Sequence, residues 1–350
     1  MKKAIRTSFF ILTLICYVSV FFSPEVFWGF GFLSLAIPIV LCFHAVLLII
    51  NIPRLKKAFF FHLAAILIGL AFVRVSYSIS VQDVVQDGDG ALQVLSYNVR
   101  VFNNYSNLRN EDYASSKKMI AWSVDNPADI KCFQEYYNKD NSGIFNIKNK
   151  LIASDWKYIH SKIVMKDRSG AEFGMAIFSK HPIVHAGEIC DGDARFLNSI
   201  FADIRIDEDT IRIYNTHLES MSINEENVVN TDKLARSYID TGYRLRNGFI
   251  SRSFQVKSLV NHIKTCPYKI ILCGDLNEVP YSFAYFSIRN HLRNAFEKAG
   301  NGFGFTYNGK LFFLRIDNQF FSPEINIHDF FTHRNVDYSD HFPLTATYSW

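Results

Sequence analysis

Ile270-Ile-Leu-Cys273 is a short apolar run with a β-branched start, and Gly274-Asp275-Leu276-Asn277 follows it directly. The run reads as a buried strand that Gly274 ends in a turn. Asp275 and Asn277 then leave the strand end on one rim, with Leu276 turned the other way. A carboxylate and a carboxamide so placed suit hydrolysis of a phosphoester. The carboxylate can take a proton from an attacking water while the carboxamide donates to a phosphoryl oxygen. Asp and Asn are also ordinary turn residues after a strand, so this stretch alone decides nothing.

Other stretches have the same build. Val94-Leu-Ser-Tyr-Asn98, Ile130-Lys-Cys-Phe-Gln134-Glu135, Ile211-Arg-Ile-Tyr-Asn215-Thr-His217 and Tyr338-Ser-Asp340-His341 each join a strand-like run to polar chemistry. Leu314-Arg-Ile-Asp317 sets an acid in an apolar context. Glu135 offers a carboxylate oxygen to a hard cation such as Mg²⁺; the bland alternative is an exposed surface glutamate. Asn98 can ligate such a cation through its oxygen, donate to phosphate through its amide, or serve as a plain turn residue. His217 at a strand end is either structural or catalytic.

In this order, Asn98, Gln134-Glu135, Asn215-x-His217, Gly274-Asp275-x-Asn277, Arg315-Ile-Asp317 and Ser339-Asp340-His341 resemble the endonuclease/exonuclease/phosphatase superfamily of metal-dependent phosphoesterases, over roughly residues 91–350. No single motif carries that weight; six in order do. The resemblance implies a four-layer α/β sandwich of two mixed, mainly antiparallel sheets face to face with helices outside. It implies Asp275 as general base, Asn277 as the holder of the phosphoryl group, and His341 on a phosphate oxygen, polarised by Asp317. It implies Asp340 as a metal ligand, direct or through water, His217 as a group serving the leaving oxygen, and Asn215 as a support. With Glu135 and Asn98 it implies a Mg²⁺ site, with Mn²⁺ as the alternative ion. Two departures stand out. Asn318 and Gln319 put polar side chains where the family strand is mostly apolar, and residues 222–248 form a long polar insertion, read as solvated.

The elements that would position these residues are short β runs at Leu92–Val101, Ile130–Phe133, Lys157–Ile163, Gly174–Ser179, Ser199–Ile206, Thr210–Thr216, Lys269–Cys273 and Thr345–Tyr348. Helical patterns lie at Tyr113–Asp125, Ser251–Lys264 and Tyr281–Phe296. The pair Ser199–Ile206 and Thr210–Thr216, joined by Asp207-Glu-Asp209, reads as a hairpin, and the mixture as a layered α/β domain.

Composition excludes a simple soluble enzyme. The chain has 350 residues, 49% of them hydrophobic and 33 of them Phe, yet a mean hydropathy of only +0.04, so apolar residues must be concentrated somewhere. They lie at the front: Ser8–Phe22, Val26–Ile50 and Ala58–Val73 are almost free of charge. About 20 apolar residues span a bilayer, so we expect a membrane anchor of three transmembrane helices over residues 1–75, a linker over 76–90 and a catalytic domain over 91–350. Lys2, Lys3 and Arg6 precede the first run, and Arg54, Lys56 and Lys57 separate the second and third, while the loop around Ser23-Pro-Glu25 has no cation. The positive-inside rule then places the catalytic domain outside the cytoplasm, periplasmic or extracellular, on a multi-pass protein of the cell inner membrane.

The net charge of +4 suits a phosphate-bearing substrate or an anionic lipid surface without implying nucleic-acid binding. Three substrates stay open: nucleic acid, a phospholipid headgroup and a DNA adduct. The last enters because Thr216-His-Leu-Glu-Ser220 resembles the tyrosyl-DNA phosphodiesterase branch, and the placement outside the cytoplasm argues against it. No protein partner is expected. Of six cysteines, only Cys190 and Cys266 are candidates to pair, and no zinc spacing occurs. The Gly300-x-Gly302-x-Gly304 run lacks the strand-to-helix context of a phosphate cradle and reads as a loop. The alternative of another class is a catalytically silent member serving as a membrane-tethered binding module; intact candidates at every motif position argue against it.

Overall fold

The computed structural model describes residues 2–52, 57–80, 91–105, 112–189, 199–221 and 234–350. Helices α1 (Lys2–Ser19), α2 (Gly29–Leu35), α3 (Ile37–Asn51) and α4 (Lys57–Ser76) come first. Strands β1 (Leu92–Asn98), β2 (Ile130–Asn138), β3 (Tyr158–Lys166), β4 (Glu172–Ser179), β11 (Asn326–Thr332) and β12 (Leu344–Ser349) form one sheet in the order β11-β12-β1-β2-β4-β3. Strands β5 (Ile183–Glu188), β6 (Ser199–Ile206), β7 (Asp209–His217), β8 (Lys269–Asp275), β9 (Arg293–Asn294) and β10 (Asp317–Phe321) form the other in the order β5-β6-β7-β8-β10-β9. Among the described residues only β1–β2 and β7–β8 are parallel pairs.

Period-2 alternation explains the layers. Val94, Ile130, Cys132, Ile177, Ile211, Ile213, Ile271, Cys273, Leu344 and Ala346 point between the sheets and form one buried core. The alternate residues of the first sheet, Leu95, Tyr97, Phe133 and Phe178, pack outward against α5 (Ala114–Asp125) and α6 (Ile147–Ala153). Those of the second sheet, Tyr214, Ile270, Leu272 and Phe320, pack against α7 (Leu234–Lys264) and α8 (Phe283–Arg289). The α7 contribution, Val256, Leu259, Val260 and Ile263, has the 3-1-3 spacing of a helical stripe. The result is the expected four-layer α/β sandwich.

Several elements differ from the sequence reading. The helix expected over Tyr281–Phe296 is two short helices, α8 and α9 (Ala295–Ala299), with β9 between them. Ser282 and Asn294 cap them by accepting from Tyr285 N–H and Glu297 N–H, and each such cap starts a helix afresh. The helix expected from Ser251 begins at Leu234, so the later part of the insertion is helical, and its side chains from Tyr238 to Asn247 are exposed or half-exposed; residues 222–233 lie outside the described residues. Cys190 lies outside them too, and Cys266 is a free thiol.

Asn318 and Gln319 do not break β10. Gln319 faces inward and donates to Val94 O (3.1 Å) and Leu344 O (3.2 Å) while accepting from Tyr348 OH (2.9 Å), which ties the two sheets together. Asn318 faces outward and accepts from Arg315 Nη1 at 2.6 Å. A buried carboxamide with its partners made is tolerated in a strand.

The three apolar runs are helical. Among the described residues α4 alone is long and apolar enough to cross a membrane; α2 and α3, bent by 40°, count as a second such span if taken together. The break falls at Ala36, next to Pro38 in the first turn of α3, where a proline starts a helix but cannot continue one. The apolar helix Ala4–Ser19 is shorter than a span. These helices pack on the sandwich directly. Cys16, Tyr17, Val20, Ile37, Phe72 and Val75 share one core cluster with Leu218, Leu276, Tyr285 and Phe286. Arg315 Nη2 donates to Val75 O (2.6 Å), Ser76 Oγ bonds Tyr281 OH (2.8 Å), and Lys257 pairs with Glu25. Of the expected linker, Ser78 forms a bridge with Gly302, and residues 81–90 lie outside the described residues.

Gly274 fixes the geometry of the strand end. Its φ is +148°, and a Cβ there would lie 1.9 Å from Thr216 O on the neighbouring β7. Gly274→Ala is therefore expected to cost about 3 kcal/mol from strain and overpacking. A thermal melt no lower than that of the wild type would contradict this.

Candidate active site

Four inward rows of side chains end in a functional group. On β1 the row is Val94, Ser96, Asn98; on β7 it is Ile213, Asn215, His217; on β8 it is Ile271, Cys273, Asp275; on β10, read backwards, it is Phe321, Gln319, Asp317. The period that builds the core thus carries four polar residues to the same edge of the two sheets. The pairings hold them in register: His217 opposes Asp275, and Asp275 opposes Asp317.

Beneath this edge lies a polar layer. Gln134 Nε2 donates to Asn215 Oδ1 (2.7 Å) and Ser96 Oγ (3.3 Å), and Asn215 Nδ2 donates to Phe133 O and Ala176 O across the gap between sheets. Asn215 therefore supports the site without reaching it.

Asp275 is the hub. It is 1% exposed. Its Oδ1 accepts from the backbone N–H of Asn277 (2.8 Å), and its Oδ2 accepts from Asn98 Nδ2 (3.1 Å). The Nε2 atoms of His217 and His341 each lie 3.7 Å from Oδ2. Asn98 Nδ2 also reaches Glu135 Oε1 at 3.4 Å, and that oxygen is 4.0 Å from His217 Nε2. Glu135 gets there through a β-bulge: the β2–β4 register shifts between Phe133 and Tyr136, and Glu135 has φ +49°. An extra residue re-aims a side chain, a common use of bulges near active sites. Asn277 also has a positive φ, of +49°, and donates through Nδ2 to Leu218 O (2.9 Å).

His341 Nδ1 bonds Asp317 Oδ2 at 2.8 Å, and both side chains are buried. Burial opposes the imidazolium charge, but Asp317 and Asp275 outweigh it and raise His341 to about 10. Burial pushes the Asp317 carboxyl up as well, against the pull of His341. The short bond and the second carboxylate favour imidazolium–carboxylate for the pair. Asp317 is further fixed by its N–H, which donates to Thr306 Oγ1 (3.1 Å), and the Tyr307 ring packs edge-on against His341.

Asn98, Glu135, His217, Asp275, Asp317 and His341 thus form one chain of contacts, and Asn277 joins it through its backbone. Asp340 pairs with Arg100, its Oδ2 3.2 Å from Nε, and its charge adds to that of Asp317 and Asp275 on His341. Sequence reasoning missed Arg100, Thr306 and Tyr307. Arg100 opens a turn in which Arg100, Val101, Phe102 and Asn103 all have positive φ, a conformation no propensity announces. The only signal for Arg100 was its place two residues after Asn98.

The donor set fits a hard cation. Glu135 Oε1 and Asp275 Oδ2 both contact the same Asn98 amide, and among the described residues neither carboxylate has a Lys or Arg partner at salt-bridge distance. Oxygen donors with a nearby imidazole suit Mg²⁺ or Mn²⁺. A second group, Asp275, Asp317 and His341, brings ligand atoms within 4.8 Å of one another.

Two sheets packed between helices, with carboxylates and imidazoles gathered at one edge, define the class of sandwich phosphoesterases. The chain belongs to the Endonuclease/Exonuclease/phosphatase family, whose model matches residues 95–341. A second family model, a domain of unknown function (DUF8431), matches residues 4–76. No curated protein sequence matched the chain. Similar solved structures include the catalytic domain of human Nocturnin with bound sulfate, at 15% identity and TM-score 0.54, covering 75% of this chain and 96% of that one. An endonuclease/exonuclease/phosphatase from Beutenbergia cavernae matches at 13% identity and TM-score 0.52, covering 74% and 71%. One from Bacteroides vulgatus matches at 15% identity and TM-score 0.51, covering 74% and 98%.

Proposed function

We propose that this chain is a membrane-tethered, divalent-metal-dependent phosphoesterase in which Asp275 takes the proton of the attacking water. The observation that carries this reading is the Asp275 carboxylate, buried and met on one oxygen by Asn98 and by two histidines at 3.7 Å. Glu135 would hold the cation. Asn98 would join it through Oδ1 once its carboxamide turns over, since Nδ2 faces Glu135 and Asp275 while Oδ1 accepts from Arg100 N–H. Asp340 would join once released from Arg100. The cation supplies charge stabilisation on the phosphoryl oxygens.

The protein's own groups divide the remaining work. Asp275 Oδ2 receives the proton while Oδ1 stays anchored by Asn277 N–H, so the base keeps its orientation. His341, charged through its bond to Asp317, donates from Nε2 to a non-bridging phosphoryl oxygen. His217, on the other side of Asp275, is placed to serve the leaving oxygen. Asn277, with one Nδ2 hydrogen taken by Leu218 O, would offer the other to the phosphoryl group, and Arg100 would add a cation beside it.

The test is hydrolysis by the full chain of DNA, RNA, phospholipids and simple phosphoesters, with and without Mg²⁺. Turnover of at least one class, lost on chelation, supports the reading. Failure on every class with Mg²⁺ or Mn²⁺ present would favour the silent binding module. The Lys and Arg distribution supports a catalytic domain outside the cytoplasm, and the direct packing of α4 on the sandwich supports a domain held close to the bilayer. Alkaline phosphatase fused after Gly90 is expected to be active; fluorescence from a cytoplasm-restricted reporter at that point would reverse the topology.

A further inference from the structure

The catalytic strand ends continue toward the N-terminal helices. After Asp275 the chain runs through Leu276 to Tyr281, and before Asp317 it runs from Leu314 through Arg315. The two segments are tied where they leave the site, Leu276 N–H donating to Ile316 O at 2.9 Å. Leu276, between the base and Asn277, and Leu218, next to His217, belong to the same apolar cluster as Phe72 and Val75 of α4. The helices therefore abut the back of the catalytic loops.

At this junction lies a cavity of about 310 Å³, a size at the lower end of small-ligand sites. Its walls come from both parts of the chain: Leu35 and Pro38 at the α2–α3 bend, and Val279, Phe305, Phe313 and Leu314 from the catalytic domain. A chain of contacts links its wall to the chemistry. Leu314 O accepts from Tyr307 N–H (3.2 Å), and the Tyr307 ring packs on His341. The polar wall residues are bonded within the protein: Ser76 Oγ to Tyr281 OH, and Arg315, 3% exposed, through Nη1 to Asn318 and through Nη2 to Val75 O. Beside the cavity, Phe303, Phe312 and Phe313 are exposed, and Tyr77, just past the end of α4, packs edge-on against Phe303. Exposed aromatic rings at the end of an apolar helix are what a bilayer interface favours.

We infer that this cavity receives the acyl chain of a membrane phospholipid, so that the substrate is a lipid phosphoester drawn from the bilayer that holds the helices. The inference rests on the membrane-tethered phosphoesterase reading above. Three features select this occupant. The cavity is mostly apolar, three of its wall residues (Leu35, Pro38 and Ser76) belong to the N-terminal helices themselves, and exposed aromatic rings stand at its rim. A nucleic acid would leave both the apolar walls and the aromatic rim without a role.

The experiment uses the full chain in lipid nanodiscs. Phosphatidylglycerol carrying a diazirine in its acyl chain is photolysed, and labelled peptides are mapped; in parallel, turnover of phosphatidylglycerol is compared with that of bis(p-nitrophenyl) phosphate. Labelling is expected on peptides holding Leu35–Pro38 and Val279–Tyr281. Leu35→Trp, which fills the cavity from the helix side, should lower that labelling and the ratio of lipid to soluble turnover by about tenfold, the scale of small volume changes in apolar pockets. Val279→Trp repeats the test from the other wall, and a melting curve verifies each variant's fold. Turnover of the soluble ester without the lipid, or folded variants with an unchanged ratio, would overturn the inference and leave the phosphoesterase reading standing. Labelling at the cavity with no turnover of either ester would sink the phosphoesterase reading, and the lipid as substrate with it, but keep the lipid site.

Discussion

Replacing Asp275 by asparagine is expected to lower turnover by about 10²–10⁴-fold, the usual worth of a general base, while the sandwich stays folded. The substitution is isosteric, and the Oδ1 side can still accept from Asn277 N–H. The damage falls on the Oδ2 side. An amide nitrogen there cannot take a proton from water, and it would face Asn98 Nδ2, now 3.1 Å away, as donor against donor. The loss should appear in kcat rather than in KM, because the group acts on the transition state. Measurement of kcat beside a melting curve decides the matter: wild-type turnover in a folded variant would remove Asp275 from the role of base.

Glu135→Gln should have the next largest effect. Its carboxylate sits 3.4 Å from the Asn98 amide, and among the described residues only His217, at 4.0 Å, stands at ion-pair distance. Such a carboxylate is poised for a cation. A metal's charge stabilisation amounts to several kcal/mol, and each 1.36 kcal/mol is tenfold in rate, so a loss of about 10²-fold or more is expected at low Mg²⁺. Raising Mg²⁺ should restore part of it, since glutamine keeps one oxygen donor. Calorimetric titration with Mn²⁺ gives an independent readout, and a metal midpoint equal to that of the wild type would exclude Glu135 as a ligand. Chelation of the wild-type protein should reproduce the same loss.

Why these residues were legible follows from their positions. Asn98, His217, Asp275 and Asp317 end inward-facing rows whose apolar members announce a strand, and period 2 then dictates that the last member faces the same way. The order of the six motifs, four of them at such row ends, was enough, through the family they resemble, to indicate the four-layer sandwich. The edge strands were harder. Ile183–Glu188 and Asn326–Thr332 are half-exposed and polar in part, so they lack the apolar run that marks β8. The helix expected over Tyr281–Phe296 failed because an apolar pattern does not reveal the two caps, at Ser282 and Asn294, that start each helix separately.

The sequence by itself determined the buried rows, the chemistry of their final residues and the concentration of apolar helices at the front. These are local properties, written in residue type and spacing. Tertiary structure decided what depends on distant partners. Gln319 looked out of place in β10 until the opposing sheet supplied Val94 O, Leu344 O and Tyr348 OH. Glu135 needed a bulge against β4 to turn into the cleft. Arg100 met Asp340, 240 residues further along, only through a left-handed turn. The N-terminal helices read as a separate anchor, whereas Val75 and Phe72 pack into the cluster behind Asp275 and His217. Apolar surface is not directional, so its pattern reports that a face must be covered, and only the folded chain chooses the cover.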